Sequence, residues 1–201
     1  MLEVVSDPNN YTFTTSKGFH GEVKDGVTYI DGVLIANKTY ALPKSYGNGL
    51  TAKTTEAFNK MVAAFNNEKT EPDRSLWLSS GFRSYSDQSY IYNNYVARDG
   101  QANADRYSAR AGHSEHQTGL AFDLNTIEDS FSYTYEGKWV SANCYRFGLI
   151  LRYPKGKEEI TGYMYESWHL RYVGEELAKK LYNNGDWITL EEYYGIDSKY
   201  R

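Results

Sequence analysis

Residues 111–125, AGHSEHQTGLAFDLN, change character half-way along. Gly112 to Gly119 is polar and turn-forming. Leu120 to Leu124 alternates, which sets Leu120, Phe122 and Leu124 on one face of a strand and Ala121 and Asp123 on the other. The stretch therefore predicts a strand that enters a sheet with a carboxylate turned away from its apolar side. Two histidines and a glutamate stand in the turn just before it.

Working outward, RFGLILRYP (146–154) and SWHLRYV (167–173) are β-rich and read as further strands. Gly174 to Asn184 reads as a helix closed by Gly185. TLEEYYG (189–195) reads as a short helix, with Thr189 and Glu192 spaced for a capping box. Upstream, Leu76 to Leu78 is a short apolar strand, and a bend then leads to a helix opening near Ser86 and closing at Gly100, so that Arg83 sits at the handover. In TTEAFNKMVAAFNNEK (54–69), Ala57, Phe58, Met61, Val62 and Phe65 recur at helical spacing behind Thr54, the expected N-cap. GVTYIDGVLIANK (26–38) is a hairpin turning at Asp31-Gly32. Residues 1–25 read as a linker-like segment. RDGQANADRYSAR (98–110) and NTIEDSFSYTYEGKW (125–139) read as loops. Strands and helices mix without a βαβ rhythm, which predicts an α+β fold: one domain, residues 26–201, with a central antiparallel sheet flanked by helices.

The chain has 201 residues, enough for one well-filled core. Its formal net charge of -4 argues against a surface that neutralises many phosphates, so no nucleic-acid partner is expected. Cys144 is the single cysteine, which excludes an internal disulfide and a Cys-rich zinc knuckle. No apolar run approaches ~18 residues, and the first ten residues lack a basic and an apolar region, so neither a membrane span nor a signal peptide is expected in this chain. Twenty tyrosines suit half-buried strands, or grooves that bind polar polymers.

Of the four histidines, His20 lies away from acidic residues and reads as a surface residue. His116 precedes Asp123 by seven positions, and Glu166 precedes His169 by three. Two imidazoles and a carboxylate are the ligand set of a catalytic zinc with one position left open, and the second carboxylate is then free to act as a base. A histidine near an aspartate is more often a hydrogen-bonded structural pair than a metal site, so the pattern as a whole has to decide.

Ser114, His116, Gly119, Ala121 and Asp123, followed by Glu166, Trp168 and His169, fill S-x-H-x-x-G-x-A-x-D and E-x-W-H. This pattern resembles the VanY-like zinc D-alanyl-D-alanine carboxypeptidases, together with their L,D-carboxypeptidase relatives of the LdcB type. The resemblance runs from about residue 30 to 185, takes in SGFRSYSDQ (80–88) and RYVG (171–174), and implies a hedgehog/DD-peptidase-like fold. It implies zinc ligands His116, Asp123 and His169, Glu166 as general base, and Arg83, Ser114 and Gln88 near the substrate, with Arg83 also sharing the charge of the reacting carbonyl. Ala111 departs from the pattern, since many relatives have proline there. His113 and Glu115 are expected at the rim or behind the ligands.

Glu166 and His169, three apart, would face opposite sides of a flat strand, so a bend or a strand start is predicted between them. Tyr85, Tyr90, Tyr92 and Tyr95 either line a groove for the peptide or pack their helix. The substrate implied is the peptidoglycan stem peptide, cut by water attack to release terminal D-alanine. D,D and L,D specificity both stay open. An endopeptidase, or a cell-wall binding module without catalysis, is the alternative. The resemblance further implies an enzyme working outside the cell or at the cell wall, and a monomer is expected.

Overall fold

The computed structural model describes residues 7–200, and two Asp-Gly pairs shape its N-terminal part. Asp25-Gly26 and Asp31-Gly32 have positive φ at every residue (51° and 77°, 45° and 77°), the backbone of a two-residue turn whose twist suits the strands it joins. Strands β1 (Tyr11–Thr14), β2 (His20–Lys24), β3 (Val27–Ile30) and β4 (Val33–Ile35) form an antiparallel meander in that order. The hairpin expected at Asp31-Gly32 is there. The linker-like reading of residues 1–25 is corrected from Tyr11 onward, while residues 1–6 lie outside the described residues. Phe13 pairs with Gly21 across β1 and β2, and the bare glycine makes room for its ring.

Helix α1 (Ala52–Glu68) buries Thr54, Ala57, Met61 and Phe65 along one stripe. Its N-cap is Thr51 instead of the expected Thr54. Thr51 holds the extended backbone a cap needs, and its hydroxyl accepts the Thr54 N–H at 3.2 Å. Strand β5 (Leu78–Ser80) begins where the predicted strand ended. Helix α2 (Tyr85–Asp99) is capped by Ser84, breaks at Gly100 and continues as α3 (Gln101–Tyr107). Strand β6 (Ala121–Leu124), helix α4 (Tyr135–Asn143), β7 (Leu149–Tyr153), the single turn α5 (Glu158–Thr161), β8 (Glu166–Tyr172), α6 (Glu175–Tyr182) and α7 (Leu190–Tyr194) follow. Helices α3 and α4 correct the loop readings of 98–110 and 125–139. The α7 capping box is formed as predicted.

The second sheet has the order β5-β6-β8-β7 and is antiparallel throughout. The α+β, antiparallel expectation therefore holds, with two sheets where one central sheet was expected. Both faces of β6 and β7 are buried. Phe122, Leu124, Leu149, Leu151 and Leu170 join the main core with Met61 and Phe65 of α1 and Leu181 of α6. Asp123, His169, Arg152 and Arg171 are buried as well. One sheet thus carries both the apolar core and a layer of charge.

Candidate active site

Register builds the site. Asp123 of β6 lies directly opposite His169 of β8, so their side chains leave the same face. His116 arrives from a one-turn 3-10 helix, Glu115–Thr118, which Ser114 caps and which ends at left-handed Gly119 (φ 70°). That turn is tied to the end of β5 twice. The His116 Nδ1–H donates to the Gly81 carbonyl at 2.7 Å, and the Arg83 N–H donates to the His116 carbonyl at 3.3 Å. Because a carbonyl can only accept, Nε2 of His116 is the nitrogen left for a metal.

His116 Nε2 is 3.2 Å from Asp123 Oδ2, and His169 Nδ1 is 3.0 Å from Asp123 Oδ1. One ligand atom from each of the three residues fits within 4.8 Å of the others. A tetrahedral zinc with bonds of about 2.0–2.1 Å holds neighbouring ligand atoms roughly 3.3 Å apart, so the three residues could take that ion once their donor atoms draw together from a spacing of up to 4.8 Å. Nitrogen, nitrogen and carboxylate oxygen are also the donor types that zinc accepts.

The carboxylates differ in electrostatic state. Burial works against charge on Asp123, yet His116 and His169 outweigh it and hold Asp123 well below the usual carboxylate range. Glu166 is pushed up to about 8, chiefly by burial, with Asp123 and Glu115 adding to the rise and His169 and Arg83 opposing it. Its Oε2 lies 3.9 Å from His169 Nδ1, beside the donor triangle. Asp123 thus stays ionised, as a metal ligand would have to, while Glu166 is poised to exchange a proton near neutral pH. The predicted bend is present, and Glu166 also begins the strand. Two steps along β7 (Leu151 to Tyr153) match four along β8 (Leu170 to Glu166), and this irregularity leaves Glu166 beside His169.

These groups open into a cleft of about 480 Å³ lined by Arg83, Gln88, Tyr95, Tyr107, Ser114, Tyr165 and Trp168, among others. The Arg83 guanidinium donates to Gln88 Oε1 at 2.9 Å and to Ser80 Oγ at 3.2 Å. With two of its five N–H groups used there, the others stay available to a ligand in the cleft. Gln88 is buried, and its amide nitrogen donates to the Ala109 carbonyl at 2.6 Å and approaches Ser108 Oγ at 3.3 Å. Of the tyrosines on α2, Tyr95 lines the cleft and the Tyr92 hydroxyl donates to Asp105 of α3 at 2.7 Å. Tyr90 is exposed. His20 is exposed on β2, as expected, and His113 lies away from the donor triangle, its Nδ1–H donating to the Asn37 carbonyl at 2.8 Å.

Residues 47–175 match the family profile described as VanY, D-alanyl-D-alanine carboxypeptidase. The putative carboxypeptidase YodJ of Bacillus subtilis (strain 168) is 36% identical over an alignment that covers 94% of this chain and 78% of that one. The chain belongs to the VanY family of D-alanyl-D-alanine carboxypeptidases. Among solved structures, the LdcB LD-carboxypeptidase superposes with a TM-score of 0.74 at 38% identity, covering 100% of this chain and 99% of that one. The vancomycin-resistance D,D-pentapeptidase VanY, solved as a mutant in complex with Zn(II), gives a TM-score of 0.67 at 32% identity, covering 79% of this chain and 96% of that one. This VanY-family chain therefore has the family fold, and its three donors sit at an arrangement that fits zinc.

Sequence reasoning missed a buried cluster behind His169. Arg152 and Arg171 are fully buried and both donate to Glu115, at 2.7 and 2.9 Å. Arg152 also makes a two-pronged pair with Glu191 of α7, at 2.7 and 2.8 Å. The signal was in the sequence, because each arginine interrupts an apolar strand and a charge in such a place requires a partner.

Proposed function

We propose that this chain is a zinc-dependent carboxypeptidase that removes the terminal D-alanine from peptidoglycan stem peptides. The reading is carried by one observation: three zinc-type donors and a carboxylate of raised pKa converge in one cleft. His116, Asp123 and His169 hold the ion, which when bound polarises the scissile carbonyl and lowers the pKa of water. Glu166 accepts the proton of the attacking water and delivers it to the leaving amine, so no covalent intermediate is required. Arg83, oriented by Gln88 and Ser80, supplies N–H donors to the oxyanion or to the substrate carboxylate. Ser114 lines the same cleft and offers a hydroxyl to the peptide. Gln88 contributes through Arg83, its own amide being held inside the protein.

The catalytic unit includes the β1–β4 meander, since Arg171 behind the site donates to the Leu34 carbonyl of β4 at 2.6 Å. No helix among the described residues is long and apolar enough to cross a membrane. The substrate places the working enzyme outside the cell or at the cell wall.

The test is mass spectrometry of synthetic muropeptide penta- and tetrapeptides incubated with zinc-loaded and with chelator-treated protein. Loss of one alanine from the zinc-loaded sample alone is expected, and the preferred peptide assigns D,D or L,D specificity. Glu166→Gln should lower turnover by about 10²- to 10⁴-fold while zinc still binds. Equal product with and without chelator would overturn the reading.

A further inference from the structure

Glu115 precedes His116 in sequence, and its carboxylate reaches the His169 ring at the nitrogen opposite Asp123. It is fully buried, its Oε1 accepts from Arg152 Nε and Arg171 Nη1, and its Oε2 is 3.4 Å from His169 Nε2. His169 offers Nδ1 to the site, 3.0 Å from Asp123. An imidazole that binds metal through one nitrogen carries its proton on the other, and an acceptor at that second nitrogen fixes both tautomer and ring orientation.

What holds Glu115 extends far along the chain. Arg152 reaches Glu191 of α7, and Glu191 Oε1 accepts from Asn37 Nδ2 at 2.9 Å. The same Asn37 amide donates to the Asp197 carbonyl at 3.0 Å. Asn37 and Glu191 lie outside residues 47–175, the part that matches the family profile. Two arginines and two glutamates thus form a closed set, and its members leave Glu115 no freedom to turn.

We propose that Glu115 is a positioning residue that selects Nδ1 of His169 as the metal-facing nitrogen, and that Glu191 and Asn37, from beyond the family-matched core, support it through Arg152. This rests on the zinc reading above. It assigns to α7 and to the segment after β4 a part in metal affinity, although neither reaches the cleft.

The experiment uses the full chain labelled with ¹⁵N-histidine. Zinc affinity is measured by chelator competition, and the ring nitrogens of the zinc-loaded protein are read by long-range ¹H–¹⁵N spectra. The wild type should show His169 bound through Nδ1 with a protonated Nε2 that exchanges slowly with water. Glu115→Asp keeps a negative charge between the arginines but withdraws the oxygen from His169. It should weaken zinc binding about ten- to hundred-fold and speed exchange of the Nε2 proton. Glu191→Gln should shift both readouts in the same direction by less. A thermal midpoint that falls while affinity and the Nε2 signal stay unchanged would show packing alone and overturn the proposal, as would His169 bound through Nε2. A wild type that binds no zinc would overturn the zinc reading and this proposal with it, whereas tight zinc binding by wild type and both variants alike overturns only this one.

Discussion

Both nitrogens of the His169 ring face a carboxylate, but the two carboxylates stand in different company. On the cleft side, Nδ1 faces Asp123, with His116 and Glu166 next to it and Arg83 as the nearby cation. On the sealed side, Nε2 faces Glu115 within a set in which two arginines match two glutamates. The sealed set is complete in itself. The cleft set brings Asp123, Glu166 and the two imidazoles to one point that opens to the cleft. Buried charge thus closes on itself behind His169 and opens to the cleft in front of it.

The comparison breaks most completely at Asp123. Asp123→Asn removes the anionic donor, and zinc binding and peptide hydrolysis should both fall below detection while the protein stays folded, as metal analysis and circular dichroism would show. If instead the variant keeps stoichiometric zinc, the cleft set is not the metal site. On the sealed side the loss should appear as stability. Arg152→Leu leaves Glu115 and Glu191 with one arginine between them, and urea unfolding of the metal-free protein should show a loss of about 3–5 kcal/mol.

Arg83→Ala tests the cleft cation without touching a ligand. Removing one such donor costs about 3 kcal/mol of transition-state stabilisation, so turnover should drop by roughly two orders of magnitude with zinc affinity unchanged. A drop in zinc content instead would move Arg83 to a structural role. The smallest effect is on protons. Burial lowers the His169 pKa, but hydrogen bonds to Asp123 and Glu115 outweigh it and raise the group to about 10 in the metal-free protein. Its ring is therefore protonated at pH 7, and zinc must displace that proton. Asp123, with its depressed pKa, has none to lose. Zinc affinity should accordingly fall as pH falls, by about tenfold per unit for each proton released. Calorimetry in buffers of different ionisation heat should count at least one proton per zinc at pH 7.

The cleft residues were named by the resemblance that S-x-H-x-x-G-x-A-x-D and E-x-W-H carry, and what the residues gave by themselves was local geometry. The alternation in Leu120–Leu124 set the direction of Asp123, and the three-residue spacing of Glu166 and His169 required the bend that the β8 irregularity supplies. The α7 cap and the Asp31-Gly32 hairpin were legible for the same reason. Asp25-Gly26 carried the identical turn signal, but the polar run before it hid β1 and β2, whose pairing depends on Phe13 meeting a bare glycine across the sheet. Helix α3 was missed because it buries only Ala104, and α4 because Gly137 sits in its first turn and Val140 is its only buried large apolar residue. The sealed set joins Asn37, Glu115, Arg152, Arg171 and Glu191 over long sequence separations, and no local pattern names such partners.

Glu166 and His169 stand on one strand, three residues apart, and that strand is held on both sides, by β6 and by β7. Whatever the cleft walls contributed by α2, α3 and the 125–133 segment do, Glu166 and His169, the proposed base and ligand, travel as one piece. Changes in those walls should therefore register in KM, with kcat set by a spacing that the sheet keeps constant, much as a caliper keeps its gap while the hand holding it moves.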